Sequence, residues 1–394
     1  MKKQTTKEQN KADIRPLDVF LLCSAYAIAA SFITVALTIN INELVISAVA
    51  LAICAFSVLV LARIAKTFRA VVFYTIILGA SAFIGGSLLL IGLFAALALC
   101  CCSLAYLINN SKSPFIWGIP LIPIILALFI SPNANGILVA ISPLPATILL
   151  AYSTKKRLDR VSAVCRISCG LCIVFLASFF IALYSVKGVI SIAAAKELIV
   201  ELKEAISAEC LLLMNELMAT LGYELSSIDV KTLVDSAVGT VFNLLPGLII
   251  TLSNIIAYII HSLFLTVCYP DPRKSKDELM PMLEFDISLT SAIVYVIAVV
   301  ATFVLVSGGS ALYGAVAENI VVVLAPGLIL VALGGIRSLI TKKGPSCLGT
   351  LLYVGVIFLL ATFSVYAIIG VALAGAVFII LAYVSDYKKR KSGN

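Results

Sequence analysis

Residues 153–186 read STKKRLDRVSAVCRISCGLCIVFLASFFIALYSV. Lys155, Lys156, Arg157, Arg160 and Arg166 crowd the start of this stretch, and Ile167–Val186 carries no charge. A helix of about 20 apolar residues is about 30 Å long, the thickness of a bilayer's hydrocarbon core. Basic residues beside such a helix hold that end in the cytoplasm. The same pairing repeats along the chain. About a dozen apolar segments run from Val19 to Tyr383, and the cations between them fall almost entirely in every second loop. Of 28 Lys and Arg, 24 lie on one predicted side; Lys187, Lys196, Lys203 and Lys231 do not. This is the bias of a polytopic membrane protein with both termini cytoplasmic. The expected fold class is all-α, a transmembrane helical bundle of about 12 spans, with about 10 as the fallback count.

Composition points the same way. The chain is 62% hydrophobic and 12% charged, with a mean hydropathy of +1.15. A soluble protein is about half apolar and about a quarter charged, so lipid is the expected solvent for most of these side chains. The net charge of +8 is spread over short loops, where it sets orientation and meets anionic lipid heads. No basic stripe interleaved with aromatics is present, so nucleic acid is not an expected partner. Membrane lipid is. The polar N-terminus, Met1–Arg15, precedes an apolar stretch without a convincing small-residue cleavage site, which reads as a retained first helix. The expected location is the plasma membrane of a bacterium.

The expected spans are Val19–Asn40, Leu44–Ala62, two helices within Ala70–Leu107 turning near Gly85-Gly86, a Pro-rich pair at Pro114–Ile130 and Gly136–Ser153, and Ile167–Val186. Pro120, Pro123, Pro143 and Pro145 make the pair a kinked or re-entrant hairpin. Later spans are Ala237–Tyr269, broken at Pro246-Gly247; Ile287–Val306, ending in a Gly-rich turn at Ser307–Ser310; Asn319–Ile336; and a double-length stretch, Cys347–Tyr383, turning near Gly370. Between them lies Lys187–Ser236, with eight acidic residues and four lysines. Leu198, Leu202, Ile206, Leu213, Leu217 and Leu221 recur there near helical spacing, predicting an amphipathic helix outside the membrane. Gly222 is placed to end it, and Ser226 or Ser227 to cap the next. The resulting organisation is a cytoplasmic tail at 1–18, a transmembrane module at 19–186, an extracytoplasmic helical region at 187–236, a second transmembrane module at 237–387 and a basic tail at 388–394.

Charges that could do chemistry are scarce. A charge at mid-bilayer costs about 2.5–3.5 kcal/mol on the lenient insertion scale, and almost no span carries one at its centre. Glu318 stands at the outer end of its helix beside Asn319, where it is either a wetted helix end or a cation-coordinating outer gate. Asp286 stands at the inner end of another. A polar stripe is more suggestive. Asn243, Gly247, Thr251, Asn254, Tyr258 and His261 recur at steps of four, four, three, four and three. They share one helical face next to a Pro-Gly break, and free backbone groups there require protein or a wet cavity beside them. The stripe reads either as a ligand lining or as interhelical hydrogen bonding. His261 is the only histidine, so no multi-His metal site is available. Ten of the eleven cysteines lie in or beside apolar segments, where Cys behaves as a small hydrophobe. Cys165, Cys169 and Cys172 share a face but lack further ligands, so no metal or other cofactor is expected. No P-loop, H-E-x-x-H or G-x-S-x-G element occurs, and an enzyme is not expected.

In the first span, Ser24-Ala25-Tyr26-Ala27-Ile28-Ala29-Ala30 presents a small-x-x-x-small face at Ala25 and Ala29. It resembles the first helix of the substrate-binding S-components of energy-coupling-factor transporters. That resemblance implies docking of Ala25 and Ala29 on a coupling membrane subunit, with ATPases on further chains. Phe285-Asp286-Ile287-Ser288, then Ser291-Ala292-Ile293-Val294-Tyr295, and the ending from Ile369-Gly370 to Asp386-Tyr387-Lys388 resemble the YybS-like family of bacterial predicted membrane proteins. The likeness runs from about Leu17 to Lys389 and implies an S-component-like front with added C-terminal helices.

The leading expectation is a YybS-like protein that binds or transports a small, poorly charged solute or lipid-like ligand, with energy from partner subunits. Asn243, Thr251, Asn254, Tyr258, His261, Glu318 and Asn319 are the candidate lining residues. A non-transporting scaffold or regulator of envelope or sporulation assembly is the alternative, and a stand-alone secondary transporter the third. A wet cavity on the Asn254 face would favour binding; a packed, hydrogen-bonded face would favour the scaffold.

Overall fold

The computed structural model describes residues 16–39, 41–64, 71–72, 74–76, 78–79, 87–111, 113–130, 133–156, 158–221, 227–268, 285, 287–307, 311–342 and 365–392. The expected tails at 1–15, the Gly85-Gly86 turn, Gly222, Ser226, the 270–276 loop, Asp286, the glycines of the 307–310 turn and the stretch 347–364 lie outside them. Among the described residues the chain is all helical, without strands. The helices are α1 (Pro16–Thr38), α2 (Glu43–Ile64), α3 (Leu88–Asn110), α4 (Leu121–Ile130), α5 (Ala134–Ile141), α6 (Pro143–Lys155), α7 (Arg160–Lys187), α8 (Ile192–Leu221), α9 (Ser227–Cys268), α10 (Leu289–Ser307), α11 (Ala311–Lys342) and α12 (Val365–Ser392).

Eight helical stretches among the described residues are long and apolar enough to cross a membrane, and two more, Pro114–Ile130 and Leu289–Leu305, are apolar but shorter. The expected spans therefore need correction in places. Pro114–Ile130 is a 3-10 turn followed by the 10-residue α4. At 1.5 Å per residue, α4 is about 15 Å long, half a bilayer's core. Gly370 lies inside α12, not at a turn, so Val365–Tyr383 is one continuous helix. Pro246 does not end α9, which runs for 42 residues.

The chain divides into two compact units, one of residues 1–181 with 256–275 and one of 182–255 with 276–394. The long helices α7 and α9 contribute to both.

In the first unit α3 is the central post. It packs against α1, α2 and α6, and from Ala95 to Leu107 all of its residues but Leu97 and Tyr106 are buried, as a helix apolar all round must be. Small residues let the neighbours close in. A Cβ on Gly92 would stand 2.5 Å from the Ala50 Cβ and 3.3 Å from the Phe32 ring. Tyr74 is fully buried, and its hydroxyl donates to Ser57 Oγ at 2.9 Å, which in turn donates to the Cys54 carbonyl at 2.7 Å. Asp159 caps α7: its Oδ2 accepts from Ser162 N at 3.0 Å, satisfying one of the amides a helix start leaves free.

In the second unit α10, α11 and α12 pack around Ala292, Tyr295, Leu328, Ala372 and Ala376. Gly375 lies directly against the Leu328 carbonyl, where no side chain fits. The acidic region forms the expected helix α8. It pairs with the start of α9, where Val230, Val234 and Val238 pack on Cys210, Leu211 and Met214. Leu198 is buried, while Leu202, Ile206, Leu213 and Leu217 stay exposed. At the head of α8, Lys187 Nζ pairs with Glu201 at 2.6 Å and Glu197 at 3.5 Å.

Candidate functional site

The polar stripe on α9 divides into two environments. Its first half lies in the second unit and meets Asn319. A helix closes a rung between the N–H of residue 247 and the C=O of residue 243. Pro246 strains the turn beside that rung, because its ring presses on the carbonyl four residues back. The Asn319 carboxamide takes both ends of the rung. Its Oδ1 accepts from Gly247 N at 2.6 Å, and its Nδ2 donates to the Asn243 carbonyl at 2.8 Å and to the Ala315 carbonyl of its own helix at 2.7 Å. One acceptor and two donors are used, which is what a carboxamide offers. One turn further on, Thr251 Oγ1 donates to the Val322 carbonyl at 2.9 Å. These bonds join α9 to α11. Asn254 and Glu318 are half-buried beside them in the same unit. Asn319 was nominated in the sequence only as a neighbour of Glu318; its tie to Asn243 and Gly247 spans more than 70 residues of chain, and only folding reveals it.

The second half of the stripe belongs to the first unit. His261 is 3% exposed, Ser262 likewise, and Ala257, Ile260, Leu263 and Phe264 around them are fully buried. Nδ1 of His261 has no hydrogen-bond partner among the described residues. Tyr258 is half-buried, and Arg160, the first residue of α7, lies near it. The Arg160 charge also acts on His261. Arg160 counted in the sequence only as one more orientation marker. The available signal was Asp159, a capping residue that places Arg160 on the helix and not in the loop.

Ala25 and Ala29 are both fully buried. Their face is covered by the chain's own α3, and the Cys100 thiol approaches the Tyr26 carbonyl at 3.8 Å.

Long apolar helices and small-residue helix contacts define an all-helical integral membrane protein. Residues 71–372 match the family model DUF2232, described as a predicted membrane protein, and the chain belongs to that family. No curated protein and no solved structure matches the chain.

Proposed function

We propose that the protein binds a small solute or lipid-like ligand within its first unit, at Tyr258 and His261, in the plasma membrane of a bacterium. If it moves that ligand, energy comes from partner subunits on other chains, since no nucleotide-binding motif is present. The observation that carries this reading is His261. A polar ring nitrogen left unpaired in an apolar bundle costs about 1–3 kcal/mol, and a ligand that pairs with it removes that cost. The test is extraction of the purified protein and of its His261→Gln and Tyr258→Phe variants, with mass spectrometry of the released small molecules. A compound retained by the parent and lost from both variants supports binding; identical extracts overturn it.

A second reading, a membrane scaffold or regulator of envelope or sporulation assembly, is favoured by Asn319. The polar groups of Asn243, Gly247 and Thr251 serve helix packing in the second unit. Co-purification of envelope assembly proteins, with no small molecule in the extract, would favour it.

A further inference from the structure

The hairpin made by α8 and the start of α9 carries an apolar face that its own fold leaves open. Ile199, Leu202, Ile206, Cys210, Leu213 and Leu217 follow one another at steps of three, four, four, three and four. Such an 11-residue repeat keeps pace with the helical turn, so the six form one stripe along α8. The chain's own α9 covers one edge of it, where Val230, Val234 and Val238 pack on Cys210 and Met214. Leu213 and Leu217 remain 63% and 53% exposed, and Leu233 of α9 59%. These side chains line an open apolar groove of about 300 Å³ between the two helices.

Height and charge both argue against lipid as its cover. Gly247 and Thr251 of α9 bond to Asn319 and Val322 of α11 in the same order along the chain, so the two helices run parallel. Ala311, where α11 begins, is therefore level with Gly239. A Cβ on Gly239 would stand 3.2 Å from Lys203 Nζ, which sets the level of α8. Residues 227–238 of α9, and α8 from Glu204 onward, thus stand beyond the start of α11, by about 18 Å for α9. A helix that lies on a bilayer carries Lys and Arg on its polar face. In α8, Glu197, Glu201, Glu204, Glu209 and Glu216 outnumber Lys196 and Lys203. The stripe faces water, where an apolar patch of this extent marks an interface with protein.

A second copy of the chain fits it. Copies in one membrane point the same way and stand at the same height. A twofold axis along the membrane normal brings the same face of each together, apolar against apolar at every level. Met214 packs on α9 and Leu213 is open, and the two are about 100° apart around α8. A helix with neighbours at about that angle is the corner of a four-helix bundle. From Ile199 to Leu217 the face is about 27 Å long, and two helices make it about 20 Å wide. Two such faces bury on the order of 1,000 Å² together, the size a specific interface requires.

We propose that two copies of this chain pair through their α8–α9 hairpins, which close a four-helix bundle outside the membrane with Leu213, Leu217 and Leu233 in its core.

The test combines the mass of the full chain in a maltoside detergent, by light scattering, with cross-linking in native membranes. A dimer is expected for the parent. Leu213→Glu with Leu217→Glu should weaken it at least about a hundredfold. Leu212→Glu should leave it intact, since Leu212 is 66% exposed but lies outside the repeat. In membranes, Leu217→Cys should add a dimer linked by a short bis-maleimide that neither the parent nor Leu212→Cys gives. All three leucines are exposed in the single chain, and circular dichroism equal to the parent's separates lost pairing from lost folding. A monomer in detergent with no Leu217→Cys product in membranes overturns the proposal. So does a dimer lost equally in Leu212→Glu, which would reduce the effect to general stickiness. A dimer indifferent to the double variant assigns the contact to another surface and overturns this one. A spin label on Leu217→Cys relaxed by lipid-dissolved oxygen, and not by a water-soluble nickel chelate, would give the stripe to lipid and overturn the pairing.

Discussion

Asn319 leaves room for nothing larger than hydrogen at residue 247: a Cβ on Gly247 would stand 2.6 Å from the Asn319 Oδ1 and 3.1 Å from its Cα. The close approach and the hydrogen bonds need each other. A glycine lets α11 come near enough for the carboxamide to reach Gly247 N and the Asn243 carbonyl.

Gly247→Ala is expected to destabilise the protein by about 1–3 kcal/mol through overpacking. Asn319→Ala is expected to cost about 0.6–1.7 kcal/mol, the range for hydrogen bonds between membrane helices. The two changes are not additive: without the carboxamide the new methyl meets less, so the double variant loses less than the sum. Thermal unfolding in detergent, run as a double-mutant cycle, reads the coupling. An additive result would break the link between glycine and carboxamide.

Tyr74 and Ser57 form a buried pair in the first unit at 2.9 Å. Tyr74→Phe removes the donor and leaves Ser57 its bond to the Cys54 carbonyl, so a loss of about 1 kcal/mol is expected. Ser57→Ala instead strands the Tyr74 hydroxyl inside the bundle, at about 1–3 kcal/mol. The order of the two midpoints in denaturant, serine variant below tyrosine variant, checks which partner is left without an alternative.

Ala25→Leu and Ala29→Leu are expected to destabilise the isolated protein, each by about 1–3 kcal/mol, because both positions are fully buried in its own core. Gly92→Ala is expected to act in the same way against Ala50, and Ala50→Gly to recover part of that loss. Size-exclusion profiles and unfolding temperatures of the purified variants test this without any partner. If the leucine variants are as stable as the parent, these two positions do not carry the packing of the core.

Asp159 gives a dependence on pH. Hydrogen bonds from Ser162, side chain and backbone, hold its carboxyl below the usual carboxylate range. Its folded pKa is depressed, so its contribution is fully present above the unfolded value, about 3.9. The contribution is lost as pH falls through the folded value. Asp159→Asn keeps a capping oxygen and removes the titration. The stability difference between parent and variant should therefore be constant from neutral pH to about 5 and change only below about 4. A difference that varies near neutrality would assign the titration to another group.

The alternation of basic loops and uncharged stretches was enough to read an all-helical membrane protein, because lipid admits few other ways to satisfy a backbone. The amphipathic helix at 192–221 was legible for a similar reason: its leucines repeat at the helical period. The length of α4 and the continuity of α12 were not. Apolar composition is the same in a half-span, a full span and a buried turn, and Gly370 has the same letter in a turn as in a helix.

For the site, residue types and shared face could be read from the sequence, since both follow from the helical repeat of α9. What each group touches could not. Asn243 and Gly247 meet Asn319, while His261, on the same stripe, belongs to a different unit with Arg160 nearby. Periodicity is a property of one helix and determines which way a side chain points. Whether it then meets a carboxamide, a guanidinium or a ligand depends on contacts between distant parts of the chain, and those form only when the helices pack.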